Sequence, residues 1–176
     1  RLSFPSTDPV VARGLEFLQQ TQRPDGAWFG RWGVNYIYGT WCAVSALTAF
    51  ADTDATARAM VPRAVAWLLD RQNADGGWGE TCGSYEDPNL AGVGRSTPSQ
   101  TAWAVLALQA AGLGQHPACR RGLDFLRERQ VGGTWEEREH TGTGFPGDFF
   151  INYHLYRHVF PTMALAGAAT GLDSPR

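Results

Sequence analysis

Apolar residues recur at helical spacing near the start of the chain: Val11, Leu15 and Leu18 follow an early Pro9 and precede Pro24-Asp25-Gly26. This pattern predicts an amphipathic helix that begins near the proline and stops at the turn. The pattern returns twice. Arg13-Gly14-Leu15-Glu16-Phe17-Leu18, Arg63-Ala64-Val65-Ala66-Trp67-Leu68 and Arg121-Gly122-Leu123-Asp124-Phe125-Leu126 are in register, separated by 50 and then 58 residues. Each runs on to a glutamine (Gln22, Gln72, Gln130) and then to a turn that ends in tryptophan. The turns are Asp25-Gly26-Ala27-Trp28, Asp75-Gly76-Gly77-Trp78 and Gly132-Gly133-Thr134-Trp135, the last one residue shorter. Recurrence of this many aligned features marks a repeat architecture. Gly14, Ala64 and Gly122 share one position, where a small residue is expected to let a neighbouring helix come close.

Between the amphipathic stretches lie segments nearly devoid of charge: Thr40 to Phe50, Pro98 to Ala111 and Pro161 to Thr170. Such segments must be buried on most sides. Each unit is therefore expected to be a helical hairpin with an outer amphipathic helix and an inner apolar one. No stretch of six or more residues alternates like a strand, so the predicted fold class is all-α, with residues 1–176 as a single domain. Stacked hairpins form an open solenoid or a closed ring. Inner helices this apolar favour a ring, an α/α toroid around a greasy hollow, of which three units make only part. The two unpaired faces of such a part expose apolar surface, so the chain is expected to self-associate or to be poorly stable.

Composition narrows the chemistry. With 43% hydrophobic and 18% charged residues the chain is not disordered, and a net charge of -2 without basic runs argues against nucleic acid as a partner. All 15 basic residues are arginine, which excludes Schiff-base, pyridoxal and P-loop lysine chemistry. No apolar run approaches the roughly 20 residues needed to cross a bilayer, and no export signal is apparent. Cys42, Cys82 and Cys119 are scattered and odd in number, which fits a reducing compartment and neither a disulfide framework nor a zinc knuckle. The chain opens on Arg1, and its methionines are Met60 and Met163, so further sequence is expected upstream.

The glutamine-to-tryptophan unit resembles the QW motif of the triterpene cyclases, and longer segments resemble the bacterial squalene-hopene cyclases in particular. These are Gly30-Arg31-Trp32-Gly33-Val34-Asn35-Tyr36-Ile37-Tyr38-Gly39-Thr40, then Ser84-Tyr85-Glu86-Asp87-Pro88 and Ser96-Thr97-Pro98-Ser99-Gln100-Thr101-Ala102-Trp103. Near the C-terminus they are Thr141-Gly142-Thr143-Gly144-Phe145-Pro146-Gly147-Asp148-Phe149 and Tyr156-Arg157-His158-Val159-Phe160-Pro161. The resemblance implies the C-terminal part of a catalytic α6/α6 barrel in an isomerase of hopanoid biosynthesis that needs no metal or organic cofactor. It implies a squalene-like polyprenyl hydrocarbon as substrate, peripheral attachment to the cytoplasmic face of a bacterial membrane, a homodimer, and the missing upstream part of the enzyme as partner. It also implies residue roles: Trp32 and Tyr38 line the cavity near initiation, Phe145 and Phe149 stabilise later cations, and Tyr153 and Tyr156 line and shape the cavity.

Physical chemistry suits that assignment, because an aromatic face steadies a carbocation without reacting with it, by about 2 kcal/mol or more when desolvated. The chain carries 7 Trp, 5 Tyr and 9 Phe. The family's acid motif, Asp-x-Asp-Asp-Thr-Ala, is absent: Asp52-Thr53-Asp54-Ala55-Thr56-Ala57 lacks its third aspartate and reads as a helix N-cap. The chain is accordingly expected to be inactive alone. Gln22, Gln72 and Gln130 are expected to cap the following helix, with Trp28, Trp78 and Trp135 stacked over them as fold fasteners. His140, His154 and His158 form no metal-ligand spacing, and Glu136, Glu137 and Glu139 read as a solvated loop cluster. Three rivals remain. A protein prenyltransferase β subunit would bind zinc, a class II diterpene cyclase would act on geranylgeranyl diphosphate, and a non-catalytic helical-repeat protein would bind another chain through an open edge.

Overall fold

A computed structural model describes residues 4–169. Six α-helices occur among the described residues: α1 (Pro9–Thr21), α2 (Tyr36–Leu47), α3 (Ala55–Asp70), α4 (Pro98–Ala110), α5 (Pro117–Glu128) and α6 (Tyr156–Ala169). Amphipathic α1, α3 and α5 alternate with apolar α2, α4 and α6, as the repeat predicts. The central inner helix is α4, where 11 of 13 residues are buried, and it packs on α2, α3, α5 and α6. One hydrophobic cluster runs from Leu15 in α1 to Ala164 in α6.

Local signals start the outer helices and α4. Asp8, Asp54, Thr97 and His116 each accept a backbone N–H from the first turn, and proline follows three of them directly. A side-chain acceptor at this position satisfies donors that a helix start leaves unpaired. Asp54 is therefore spent on the N-terminus of α3, bonding the N–H groups of Thr56 and Ala57 at 2.9 Å each. The inner helices α2 and α6 begin earlier than the charge-poor runs suggest, at Tyr36 and Tyr156, because their first turns are aromatic and polar rather than aliphatic. The expected end of the last helix at Thr170 lies outside the described residues.

The repeated glutamine, glycine and arginine form a joint between successive outer helices. Gln22 Nε2 donates to the carbonyl of Gly26 at 3.0 Å and to that of Met60 in α3 at 3.1 Å. Arg63 of α3 donates back to Gln22 Oε1 at 3.0 Å and to the carbonyls of Arg23 and Pro24 at 3.2 and 3.1 Å. One repeat later Gln72 Nε2 donates to Gly76 at 2.8 Å and to Ala118 of α5 at 2.9 Å, and Arg121 donates to Gln72 Oε1. The glutamines therefore do not cap the next helix. Their acceptors lie in its N-terminal half, whereas a helix leaves carbonyls unpaired only at its C-terminal end. The tryptophans bond that C-terminal end instead: the indoles of Trp28, Trp78 and Trp135 donate to the carbonyls of Leu18, Leu68 and Leu126 at 2.8, 2.7 and 2.7 Å.

The shared small position behaves unequally. Ala64 is fully buried and Gly122 lies against Trp78 and Val105, but Gly14 faces open space. A second departure from expectation is a β-hairpin, β1 (Gly142–Phe145) paired antiparallel with β2 (Phe149–Ile151). Strands of four and three residues with two glycines in the first are too short to show alternation. The joint yields a stability contrast. Gln72→Ala is expected to cost about 1–2 kcal/mol in urea unfolding, since two backbone carbonyls and Arg121 lose their partner. Gln130→Ala, on an exposed residue, is expected to stay within about 0.5 kcal/mol.

Candidate functional site

The loop before α2 and the β-hairpin are sewn together through their backbones. Thr143 N donates to Trp32 O at 3.0 Å and Val34 N to Thr141 O at 3.0 Å, while Gly33 bridges Gly142. Glycines in this seam leave room for rings. A methyl group at Gly33 would overlap the Tyr38 ring, one at Gly142 the Tyr153 ring, and one at Gly144 the Phe149 ring. The glycines are thus seats for three of the six residues expected at the site, a role the sequence reading missed.

Five of the six expected rings fall into two groups. Tyr153 packs on Tyr156 with centroids 4.8 Å apart, and Tyr156 and Tyr38 both meet the edge of Trp103, at 5.7 and 5.0 Å. Trp41 stacks parallel to Trp103 at 6.3 Å, and Phe160 closes the cluster 5.4 Å from Trp103. Phe145 and Phe149 pair edge to face at 6.0 Å on the hairpin. Trp32 joins through its backbone. Trp32, Phe145 and Phe149 are 47%, 61% and 49% exposed, so these three side chains stand open rather than inside the core. Trp41, Trp103 and Phe160 were not singled out from sequence; for Trp103 the available signal is the one aromatic ring in the otherwise small-residue α4.

Beyond Trp41 the inner helices α2, α4 and α6 border an open apolar groove of ≈ 770 Å³, lined by Trp41, Ser45, Leu106, Gln109, Met163 and Gly167 among others. None of the six expected residues lines it. Tyr38 lines a smaller recess of ≈ 380 Å³ with Phe29, Trp28 and Cys42. Burial raises the Tyr38 phenol well above its ordinary range and raises that of Tyr156 as well.

The buried carboxylates nearby are fully engaged. Glu80 accepts the backbone N–H groups of Asn35, Tyr36 and Ile37 at 3.2, 3.1 and 3.0 Å, which makes it the cap of α2 supplied from another unit. Glu137 accepts from Ser99 N at 2.8 Å, Ser99 Oγ at 2.7 Å and Thr141 Oγ1 at 3.2 Å, serving α4 in the same way. Each stands two residues after a repeat tryptophan. Burial holds both carboxyls above the ordinary carboxylate range, and the hydrogen bonds they accept offset that rise only in part. Glu137 therefore departs from the expected solvated cluster; it is 3% exposed, while Glu136 lies at the surface. Gln100 completes the wall, donating to the carbonyls of Val34 and Glu80 at 2.9 Å each and accepting from Glu80 N at 3.0 Å.

Repeated outer and inner helices, with an aromatic edge where the hairpin meets them, define a chain of the terpenoid-cyclase α/α class. Residues 1–170 match the family described as squalene-hopene cyclase C-terminal domain, and the chain belongs to it. The squalene–hopene cyclase of Alicyclobacillus acidocaldarius is 55% identical over 157 residues, covering 89% of this chain and 25% of the relative. Dammaradiene synthase of Dryopteris crassirhizoma is 44% identical over 181 residues, with 94% and 26% covered. Among solved structures, ent-copalyl diphosphate synthase from Streptomyces platensis aligns with a TM-score of 0.63 at 26% identity, over 93% of this chain and 28% of that one. The chain thus spans about a quarter of the length of these relatives.

Removing the distant cap tests its role. Glu80→Ala leaves three buried backbone donors unpaired and is expected to destabilise the fold by about 2–4 kcal/mol. Glu136→Ala, at the surface, is expected to stay within about 0.5 kcal/mol by the same urea titration.

Proposed function

We propose that this chain forms part of the wall of a dry, ring-lined cavity in which an enzyme of the squalene-hopene cyclase kind folds and cyclises a squalene-like polyprenyl to hopene or hopanol. The observation that carries this reading is the backbone seam that joins the Trp32 loop to the hairpin of Phe145 and Phe149, with Tyr38 and Tyr153 seated on its glycines, Tyr156 packed on Tyr153, and the buried carboxylates consumed by helix N-termini. A hydrocarbon cation offers no hydrogen bonds, so its stabilisation must come from ring faces, and a free carboxylate or water beside it would end the reaction early. Rings seated on a glycine seam need not reorganise as charge develops.

In this reading Trp32 and Tyr38 stand near the first ring formed, Phe145 and Phe149 face later cations, and Tyr153 and Tyr156 keep the wall in shape. The 176 residues contain no Asp-x-Asp-Asp segment, so the initiating proton comes from another part of the enzyme. A water-insoluble substrate favours an enzyme attached peripherally to a membrane surface. None of the helices described here is long and apolar enough to cross a bilayer. Similarity to ent-copalyl diphosphate synthase supports a second reading, class II diterpene cyclisation, which begins with the same protonation of a polyene.

Two assays separate these readings. The purified 176-residue chain is expected to form no cyclic product from squalene, and detectable hopene would overturn its dependence on a distant acid. In the longer enzyme that carries this segment, Phe149→Ala is expected to slow squalene turnover about 30-fold, the equivalent of roughly 2 kcal/mol of lost cation stabilisation, and to release partly cyclised products. Phe149→Tyr should retain most of the rate. An unchanged rate and product profile in the alanine variant would sink the wall assignment, and turnover of geranylgeranyl diphosphate in place of squalene would favour the diterpene reading.

A further inference from the structure

The Trp32 ring stands half exposed, so its place depends on how the backbone beside it is held. Each carbonyl from Arg31 to Val34 has a donor beside it. Trp32 O takes the N–H of Thr143 at 3.0 Å, and Val34 O takes the Gln100 amide at 2.9 Å. The two carbonyls that flank Trp32 face a single side chain: the Tyr85 hydroxyl donates to Gly33 O at 2.9 Å and lies 3.4 Å from Arg31 O. A hydroxyl carries one proton, so the shorter contact is the bond and the longer one its alternative.

The Tyr85 ring reaches the other side of the seam. It stacks on Phe150 of β2 with centroids 5.8 Å apart and planes at 29°, and it meets Phe29 edge to face at 5.6 Å. Phe150 directly follows Phe149 and pairs across the hairpin with Thr143, the residue whose N–H holds Trp32 O. Tyr85 is itself firmly placed. It ends a single tight helical turn, Cys82–Tyr85, in which Ser84 is fully buried and accepts the Asn35 amide at 3.2 Å. Cys82 Sγ donates to His140 O at 3.4 Å, just before the hairpin, and Glu80 caps α2 just after the Trp32 loop. The segment that carries Tyr85 is therefore anchored next to both elements that Tyr85 joins.

We propose that Tyr85 is a positioning residue for the aromatic wall: its hydroxyl fixes the backbone beside Trp32 while its ring supports the hairpin beside Phe149, so the two wall rings keep their spacing across the seam. The proposal rests on the wall reading given above. Tyr85 acts through backbone and through Phe150, not on the substrate. Its effect falls on where each cation meets its ring, because a displacement of about 1 Å at a reacting centre can cost on the order of 100-fold in rate. A cation that forms away from its ring is intercepted early, so a loosened seam stops cyclisation part-way.

The test uses the longer enzyme that carries this segment. Tyr85→Phe keeps the ring and removes the hydroxyl, and circular dichroism should show an unchanged fold. It is expected to lower kcat for squalene about tenfold with KM within about twofold, and to raise the share of partly cyclised products. Phe150→Leu, which removes the stacked ring and spares the hydroxyl, is expected to shift products in the same direction. Because Tyr85 acts through Trp32, adding Tyr85→Phe to Trp32→Ala is expected to slow turnover little further. If Trp32→Ala is impaired while Tyr85→Phe and Phe150→Leu keep the wild-type rate and products, the positioning role is overturned and the wall reading stands. Fully multiplicative losses in the double variant, or a lowered melting temperature with an unchanged product ratio, would overturn it as well. Wild-type behaviour of Trp32→Ala would remove the wall reading at Trp32 and the proposal with it.

Discussion

A buried helix start is an electrostatic problem, because its first backbone N–H groups have no partner in the helix and no water to turn to. The architecture of this chain depends on how that problem is solved for α2 and α4. Glu80 and Glu137 reach in from the loops of the following units, so each inner helix is completed only when the next unit is in place. The solution is cooperative across units rather than local. It also determines where α2 begins, and therefore where the loop carrying Trp32 and the first-turn Tyr38 are held.

The outer layer is joined by a different device. Glutamine, glycine and arginine tie one outer helix to the next through carbonyls in the N-terminal half of the helix, while tryptophan ties each turn back to the end of its own helix. Of the three tryptophans, Trp28 also borders the recess that Tyr38 lines. The conspicuous motif of the sequence is thus a fastener. Fastening the outer layer leaves the inner helices free to carry apolar residues almost throughout, which is what a water-excluding cavity needs.

The aromatic edge combines rigidity with openness. Trp103, fully buried, is the hub against which Tyr38, Trp41, Tyr156 and Phe160 pack, so those rings are fixed by the core. Phe145, Phe149 and Trp32 stand outward from a glycine seam whose backbone is hydrogen-bonded. Rings that are rigidly held yet exposed on one face suit contact with an apolar, cationic guest, and their capacity for cation–π attraction grows as water is excluded.

Helical periodicity, the threefold recurrence of one arginine-to-tryptophan pattern and the charge-free runs between were enough to read the all-α hairpins from the sequence, because these are local properties of a chain at 3.6 residues per turn. The candidate aromatics were legible only through family resemblance, since nothing in their spacing distinguishes a cavity wall from a core. Three features were decided by tertiary structure alone. Glu137 reads as surface charge beside Glu136 until α4 arrives to offer its N–H groups; the seating of rings on the glycines at 33, 142 and 144 leaves no mark in the sequence; and the 142–151 hairpin is joined backbone to backbone with residues 32–34. In each case the partner lies far along the chain, and a sequence records which groups are available but not which of them folding will bring within hydrogen-bonding distance.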